Sequence, residues 1–334
     1  MKERSIIARI LTLYLILPFS IEPAEAAQNR GQLAYVSNER DGTITVIDTA
    51  TDEIVSSFRI GGRLRGIQLS ADAKTLYAAL TYPSHQREES TDKIVAIDAA
   101  TGRVVASYDG GTDPEQFAIS RDGTRLYVSN EDAGTASITD MRTNRVIATL
   151  VVGIEPEGVT ISPDGRWVYV TSESSSNVSV IDTRTNKIKA TFPVGARPRA
   201  SAFSPDGRRA YVTGENGGTV SVVDTRNHTV IHTIQMPRDQ VKPMGVVVSR
   251  DGRRIYVANG RGNNVAVIDA RTNKVLTMIP VAARPWGIAI TRDGRKVYTA
   301  NGLSNDVAVI DTATNQVIKT IKAGNGPWGV VLSP

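Results

Sequence analysis

The side chains best suited to chemistry in this sequence lie at seven short corners that recur along the chain, six of which contain proline. Two neighbouring corners carry four carboxylates, four corners carry cations, and the last two carry tryptophan. In chain order the corners read Arg63-Leu64-Arg65, Asp113-Pro114-Glu115, Glu155-Pro156-Glu157, Arg197-Pro198-Arg199, Lys242-Pro243-Met244, Arg284-Pro285-Trp286 and Gly326-Pro327-Trp328. Charged and aromatic groups of these types bind anions, planar rings or hard cations.

A small anionic ligand is one candidate for these corners. The residues that would bind it are Arg63, Arg65, Arg197, Arg199, Lys242, Arg284, Trp286 and Trp328. Indole faces pack against planar or apolar bodies, and arginine forks pair with carboxylates. An aromatic acid, or a tricarboxylate quinone such as PQQ, would match this combination. Alternatively, the tryptophans fill a central channel as core while the charges pair in water, where each pair contributes only ~0–1 kcal/mol.

A calcium ion is a second candidate, because oxygen-rich clusters suit hard cations. Its ligands would be Asp113, Glu115, Glu155 and Glu157. Glu131, Asp132 or Glu173 from neighbouring loops could add oxygens, and solvated charge is the alternative interpretation. The three histidines do not form a shared site by their positions, and we interpret all of them as surface polar residues: His85, His228 and His232.

The corners belong to a repeat with a period near 42 residues. Tyrosine marks each unit, at Tyr35, Tyr77, Tyr127, Tyr169, Tyr211, Tyr256 and Tyr298. An aspartate follows each tyrosine after 13 residues, except in the second unit, where the interval is 21. In the unit spanning residues 283–324, four β-branched runs alternate with turn sequences, a pattern typical of a four-stranded antiparallel meander. Four short strands in ~40 residues predict one blade of a β-propeller.

Seven such units predict an all-β ring of seven four-stranded blades. The last unit stops where its siblings turn into the tyrosine strand, and residue 33 resumes at that strand. Residues 328–333 therefore supply the innermost strand of the first blade, whose other three strands lie in residues 33–60. This closure removes the exposed strand edges that promote aggregation.

The loops of such a ring sort onto two faces. The Asp-Gly turn and the Asp-Thr-x-Thr-Asn turn share one face, and the repeated aspartate of the second turn is expected to cap it. The corners share the other face with the loop after the tyrosine strand. Both long insertions, within residues 81–92 and 235–241, fall on the corner face. Because loops on a rigid scaffold commonly carry function, this is the predicted working face.

Residues 1–26 are predicted to be a signal peptide, with a basic start, an apolar stretch and Ala24-Glu25-Ala26 as the cleavage site. Residues 27–334 would then form a single propeller domain exported to the periplasm, with no membrane anchor after cleavage. The sequence has no cysteine, which excludes thiolate metal sites, iron–sulfur clusters and covalently attached haem. Its formal charge of +5 is a mild excess and does not indicate nucleic-acid binding.

The tyrosine strands resemble the repeat named for the residues YVTN. Tyr-Val-Ser-Asn stands at 35–38 and 127–130, Tyr-Val-Ala-Asn stands at 256–259, and the rest of the pattern fits 178–207 and 265–294. Within that family, an exported chain of seven repeats is similar to the β-propeller protein associated with PQQ-dependent alcohol catabolism. That resemblance implies a periplasmic protein that accompanies quinoprotein dehydrogenases and a transport system.

Two functions of different classes follow. The first is a non-enzymatic binding or scaffold protein, an accessory of PQQ-dependent catabolism, which uses the corner face for an anionic aromatic ligand or a partner protein. The second is a lactonase-type hydrolase, in which Arg197 or Arg284 binds the anion and Glu115, Glu155 or Glu157 serves as base or metal ligand. The sequence weighs against the hydrolase, because no histidine lies on the inner loops to act as a general base near neutral pH.

Overall fold

A computed structural model of the protein describes residues 31–82, 92–237 and 241–334. The predicted signal peptide, His85 and the central residues of both insertions lie outside the described residues. The described residues form strands and turns but no helix, and so none that is long and apolar enough to cross a membrane.

The strands are short, with six or seven residues each, and are numbered in chain order. The first blade takes β1 (Leu33–Asn38), β2 (Thr43–Asp48) and β3 (Glu53–Arg59). The second contains β4 (Arg63–Leu69), β5 (Thr75–Thr81), β6 (Lys93–Asp98) and β7 (Val104–Asp109). The third contains β8 (Pro114–Ile119), β9 (Arg125–Asn130), β10 (Thr135–Asp140) and β11 (Arg145–Val151). The fourth contains β12 (Pro156–Ile161), β13 (Trp167–Ser172), β14 (Asn177–Asp182) and β15 (Lys187–Pro193).

The remaining blades repeat this plan. The fifth contains β16 (Pro198–Phe203), β17 (Arg209–Gly214), β18 (Thr219–Asp224) and β19 (Thr229–Gln235). The sixth contains β20 (Pro243–Val248), β21 (Arg254–Asn259), β22 (Asn264–Asp269) and β23 (Lys274–Pro280). The seventh contains β24 (Pro285–Ile290), β25 (Lys296–Asn301), β26 (Asp306–Asp311) and β27 (Gln316–Lys322). The last strand is β28 (Pro327–Leu332).

The ring closes through β28, which pairs antiparallel with β1 and completes the first blade. Tyr35 lies opposite Val331 in this register. The innermost strand of each blade contacts the innermost strand of the next, from β4 through β28 and back to β4. The prediction of seven four-stranded antiparallel blades closed by the C-terminal strand is confirmed.

Apolar side chains pack between neighbouring blades rather than in one central core. One cluster, for example, joins Tyr211 of the fifth blade to Ile255 of the sixth. The repeated tyrosines also reach across: the Tyr169 hydroxyl lies 2.8 Å from Nδ1 of His228 in the next blade. His228 is only 5% exposed, so its interpretation as a surface residue is wrong. His228 lies in a turn of the fifth blade, and its ring packs against Trp167 and Tyr169 of β13 in the fourth blade. The local sequence does not show this contact between blades. His232 is exposed, as expected.

The loops sort onto two faces as predicted. One, the turn face, carries the turns between the first and second and between the third and fourth strands of each blade. The other, the mouth face, carries the corners and surrounds one end of the central channel. The repeated aspartates cap the outer turns as expected: Oδ1 of Asp311 accepts hydrogen bonds from the backbone N–H groups of Ala313 at 3.0 Å and Thr314 at 2.7 Å.

Glycines next to the corner residues bring the inner strands close together. A Cβ on Gly287 would lie 2.5 Å from the carbonyl oxygen of Trp328 in the next blade. Hydroxyl groups then bond those carbonyls across blades, with Ser37 Oγ donating to Arg65 O at 2.6 Å and Ser129 Oγ to Glu157 O at 2.8 Å. The corner residues are therefore held by backbone contacts with the neighbouring blade.

Candidate functional site at the channel mouth

A cavity of about 320 Å³ opens on the mouth face. Seven of the eight residues predicted to bind an anionic ligand line it: Arg63, Arg65, Arg197, Arg199, Arg284, Trp286 and Trp328. Glu115 and Glu157 of the predicted metal set line it as well, together with Glu39, Arg40 and Glu131 from the loops after the tyrosine strands. The ring therefore brings distant corners into one site.

Three predicted residues do not line the cavity. Lys242 donates a hydrogen bond from Nζ to Asn216 at the rim. Glu155 is exposed and accepts a hydrogen bond from Ser174. Asp113 lies behind the cavity wall, with Oδ1 at 3.9 Å from Arg65.

The backbone at the corners is constrained. The residue before proline has a positive φ in six corners, at Asp113 (47°), Glu155 (54°), Arg197 (57°), Lys242 (56°), Arg284 (60°) and Gly326 (72°). Five of these residues are not glycine, and each pays about 1 kcal/mol or more for the left-handed conformation. This turn directs the chain straight into the inner strand, so that Arg197 and Arg284 remain exposed at the rim.

Arg65 is the centre of the first charge cluster. Its Nη1 lies 3.8 Å from Glu131 Oε2 and 3.9 Å from Asp113 Oδ1, and it also contacts Glu115. Its Nε lies 3.2 Å from Glu39 Oε1. The grouping of Asp113, Glu115 and Glu131 has the spacing of a metal site, but a guanidinium already lies within 4 Å of all three carboxylates. This guanidinium would repel a calcium ion bound by the same carboxylates. The calcium site therefore stays a prediction.

Arg199 is the centre of the second cluster. Its Nη1 lies 3.0 Å from Glu157 Oε1 and contacts Glu173, while its Nε lies 2.7 Å from Glu215 Oε2. Arg197 reinforces the cluster with Nε at 2.6 Å from Glu173 Oε2. The four carboxylates predicted to share a metal are thus divided: two lie on Arg65, one on Arg199 and one at the exposed rim.

Glu173 is a buried carboxyl group with a raised pKa. Burial, followed by repulsion from Glu157 and a hydrogen bond between the two carboxyl groups, raises the pKa of Glu173 to about 8, against the attraction of Arg199 and Arg197. The Glu173 side chain is only 2% exposed. A pKa of about 8 keeps Glu173 largely protonated at neutral pH.

Glu131 is a cavity-lining carboxyl group whose pKa is raised towards neutrality. Burial, followed by repulsion from Glu157 and Asp113, raises its pKa to about 7, although Arg65 and Arg199 oppose the change. Its side chain is 26% exposed and lines the cavity. A carboxyl group with a pKa near 7 can act as a general base at neutral pH, as a histidine side chain can. The lack of a histidine on the inner loops is therefore not by itself an argument against a hydrolase.

From the sequence, Glu131 was expected only as a possible additional metal ligand. Its repeat position was not recognised as part of the mouth. The position four residues after the repeated tyrosine is acidic in four blades, at Glu39, Glu131, Glu173 and Glu215. In the sixth and seventh blades it is Gly260 and Gly302. Comparing this position between repeats would have shown an acidic half and an open half of the mouth.

The open half contains the two tryptophans. The rings of Trp286 and Trp328 lie 5.7 Å apart at 34°. The Cζ atoms of Arg284 and Arg199 lie 5.0 and 5.3 Å from the Trp286 ring, close enough for cation–π attraction. Among the described residues, none forms an ion pair with Arg284.

The tryptophans combine the two roles proposed from the sequence. Trp328 is 5% exposed and also lines a second cavity of about 310 Å³ between the inner strands, so it packs inside the channel. Trp286 is partly exposed and faces the mouth cavity.

Two family profiles match parts of the sequence. The profile described as "Lactonase, 7-bladed beta-propeller" matches residues 182–327, and the profile of the cytochrome D1 heme domain matches residues 86–201. Among curated proteins, the uncharacterized protein YncE of Salmonella typhi is 29% identical over 105 residues. That match covers 31% of this chain and 27% of YncE, so it reaches well under half of either protein.

Solved structures share the fold over nearly the whole ring. A putative 6-phosphogluconolactonase of Bacteroides fragilis has a TM-score of 0.77 at 18% identity, covering 94% of this chain and 100% of its own. The periplasmic gluconolactonase of Pseudomonas aeruginosa has a TM-score of 0.76 at 20% identity, covering 91% and 99%. At these identities the likeness shows the fold alone.

These comparisons contradict the expectation of a non-enzymatic accessory of PQQ-dependent catabolism. The profile matched by residues 182–327 is that of lactonases, which supports the enzymatic alternative. For the haem-domain match, none of the described residues that line the mouth cavity is a histidine, cysteine, methionine or tyrosine, the usual axial ligands of haem iron. The dehydrogenase and transport partners stay predictions.

Proposed function

We propose that this protein is a periplasmic lactonase that hydrolyses sugar-acid lactones at the channel mouth. The observation that carries the proposal is Glu131, a cavity-lining carboxyl group whose pKa is raised to about 7. The lactonase profile over residues 182–327 and the gluconolactonase folds support the reaction class. The predicted signal peptide, with the periplasmic gluconolactonase among the similar structures, supports the location.

Glu131 acts as the general base in this reaction. It accepts a proton from a water molecule as the oxygen of that water attacks the lactone carbonyl carbon. Burial raises the basicity of the carboxylate, and the pKa near 7 leaves a substantial ionised fraction at neutral pH. The attack of water on the lactone therefore uses only residues of this chain.

Arg284 stabilises the oxyanion that forms on the carbonyl oxygen. Its guanidinium lies at the cavity rim against Trp286, with no ion pair among the described residues, so its donors are free for substrate. A fixed cation placed where charge develops lowers the barrier more than the same cation in water. The ring carbon–oxygen bond then breaks, and the ring oxygen takes the proton that Glu131 accepted from the water.

The two halves of the mouth divide the work. The partly exposed face of Trp286 packs against the apolar face of the sugar ring, and Glu131 on the acidic side serves first as the base and then as the acid. The product is an open hydroxy acid, which is ionised at neutral pH. One proton is therefore released for each lactone hydrolysed.

The test is a pH-stat assay of the protein on glucono-1,5-lactone and its 6-phosphate. We expect kcat/KM to rise with pH through an inflection near 7, set by Glu131. Glu131→Gln should lower kcat/KM by about 10²–10⁴-fold and remove the inflection. The matched control is Glu155→Gln, which changes an exposed rim carboxyl outside the cavity and should retain the wild-type rate.

The proposal fails on either of two results. One is a wild-type protein that hydrolyses neither lactone, with or without added calcium. The other is a Glu131→Gln variant that retains both the rate and the pH profile of the wild type.

A further inference from the structure

A second charged site lies on the turn face, away from the mouth. The fifth and sixth blades both carry Asp-Gly-Arg-Arg turns, at 206–209 and 251–254. Between these blades lies a cleft of about 740 Å³. We call it the arginine cleft, after the residues that line it: Arg208, Arg209, Arg250, Arg253, Arg254 and Arg271.

The cleft concentrates the positive charge of the protein. Six arginines and three aspartates, Asp206, Asp251 and Asp269, line it, which leaves three net positive charges. The whole 334-residue chain has a formal net charge of +5. The cleft is therefore a local concentration of positive charge on a protein whose overall excess is mild.

Half of the cleft arginines have neither a carboxylate nor a carbonyl partner for their side chains. Arg254 pairs with Asp269 at 2.9 Å, Arg253 lies 3.9 Å from Asp251, and Arg209 donates to the carbonyl oxygen of Ala270 at 3.0 Å. Among the described residues, none forms an ion pair with the others: Arg208, Arg250 and Arg271.

The aspartates in the cleft are already engaged in their turns. Asp206 accepts hydrogen bonds from Ser204 Oγ at 2.6 Å and from the Arg208 N–H at 3.1 Å. Asp251 accepts the equivalent pair from Ser249 and Arg253 at 2.6 and 3.0 Å. These bonds hold one oxygen of each carboxylate at its own turn.

The neighbouring cleft on the same face extends the charge. It lies towards the seventh and first blades and has a volume of about 680 Å³. It shares Arg250 with the arginine cleft and adds Arg292 and Arg295. Two adjacent clefts with a common arginine suit a ligand that presents several anionic groups.

We propose that the arginine cleft binds clustered phosphate groups. A carboxylate has two oxygens in one plane and is satisfied by one or two guanidinium forks, whereas a phosphate presents oxygens over a tetrahedron and can be bonded from several sides. Six arginines around one cleft match the second geometry. The phosphates belong either to a free oligophosphate or to the headgroups of an anionic lipid surface.

The experiment is calorimetric titration of the mature protein with inorganic triphosphate. It is done at low ionic strength, where exposed charges are least screened. The test variant is Arg208→Gln/Arg271→Gln, which removes two unpaired cations of the cleft. The matched control is Arg142→Gln/Arg184→Gln, which removes two exposed arginines from the same face in the third and fourth blades. We expect binding at least about tenfold weaker in the test variant, equivalent to about 1.4 kcal/mol, and unchanged in the control.

Three results would overturn the proposal. The first is the absence of triphosphate binding to the wild-type protein together with no retention on phosphatidylglycerol vesicles. The second is equal weakening in both double variants, which would mean diffuse surface charge. The third is citrate binding as tightly as triphosphate, which would remove the preference for phosphate.

The vesicle arm distinguishes the two sources of phosphate. Retention on phosphatidylglycerol vesicles, but not on phosphatidylcholine vesicles, that triphosphate displaces identifies lipid headgroups. Triphosphate binding without retention identifies a free oligophosphate. Lactone hydrolysis by Arg208→Gln/Arg271→Gln should equal that of the wild type, because the cleft lies on the face opposite the mouth.

Discussion

At the scale of single residues, the mouth depends on carboxyl groups whose neighbours change their chemistry. Glu131 and Glu173 occupy the same repeat position in adjacent blades, and in both burial comes first among the causes that raise the pKa. Glu157 lies close enough to repel both. Burial, together with repulsion from this one carboxylate, thus raises the pKa of both groups into the range around neutral pH.

Arg284 should affect the chemical step rather than the fold. Arg284→Ala is expected to lower kcat/KM for the lactone by about 10²-fold, because it removes a cation aimed at the developing oxyanion. Arg284→Lys should recover only part of the rate, since an ammonium lacks the planar fork. Steady-state kinetics and thermal melts check both expectations.

The matched control for this prediction is Arg261→Ala. Arg261 is an exposed arginine on the mouth face of the adjacent sixth blade and does not line the cavity. An equal loss of rate in Arg261→Ala would show that only the general charge of the face matters.

The raised pKa of Glu173 also makes stability depend on pH. Between about pH 4.5 and about pH 8, the folded protein keeps a proton that the unfolded chain has released. The free energy of unfolding should therefore fall as the pH rises through this window. Glu173→Gln should flatten the decrease in Tm between about pH 5 and about pH 8, measured by circular dichroism. The control variant is Glu155→Gln. Curves of Tm against pH that run parallel for the wild type and Glu173→Gln would contradict the assignment of the decrease to Glu173.

At the scale of strands and turns, the inner strands are held at a separation that only glycine allows. Gly287 has no room for a methyl group beside the Trp328 carbonyl, and the corner residues on both sides line the mouth. Stability and site geometry therefore depend on the same backbone contacts between neighbouring blades. Side chains elsewhere in the loops can vary without this effect.

Gly287→Ala should test this contact. A Cβ at 2.5 Å from a backbone oxygen forces the two inner strands apart, and we expect a loss of about 1–3 kcal/mol in the free energy of unfolding. The control is Gly217→Ala, a mouth-face loop position whose new Cβ would lie 3.1 Å from the Thr219 hydroxyl. Urea denaturation measures the free energy of unfolding of both variants. Equally small losses would show that neighbouring inner strands can separate at little cost.

At the scale of the whole molecule, one strand pairing closes the ring. β28 and β1 come from opposite ends of the described chain, and side chains on both strands join one apolar cluster with the seventh blade. The seven blades are therefore linked in a closed cycle, and the mouth cavity is complete only when Trp328 is in place between Trp286 and Arg65.

A disulfide across that pairing should stabilise the fold more than one within a blade. Val36→Cys/Val330→Cys joins partners that close a loop of 295 residues, whereas Thr45→Cys/Ser57→Cys closes a loop of 13. The loop-entropy relation gives about 5–6 kcal/mol for the first and about 3 kcal/mol for the second. Denaturation of oxidised and reduced protein measures both, without interference because the chain has no native cysteine. No gain on oxidising the first pair would contradict closure through β28.

The sequence alone was sufficient to predict the fold, because each repeat contains the local patterns of one blade. Alternating strands, Asp-Gly turns and the capping aspartates are local patterns, and seven copies leave one closed arrangement that pairs every inner edge. The same logic located the mouth: the corner residues occupy one repeat position, so Arg65, Arg199 and Trp286 had to meet around the channel.

Only the tertiary structure determined the pKa shifts and the ion pairs of those residues. Burial beside Glu157 gives Glu131 its raised pKa, Arg65 lies where a calcium ion had been expected, and the aspartate turns of two blades leave a cleft of unpaired arginines. These outcomes depend on distances and solvent exclusion between residues far apart in the chain. A repeat pattern specifies positions, whereas protonation and pairing depend on the three-dimensional surroundings of each charge.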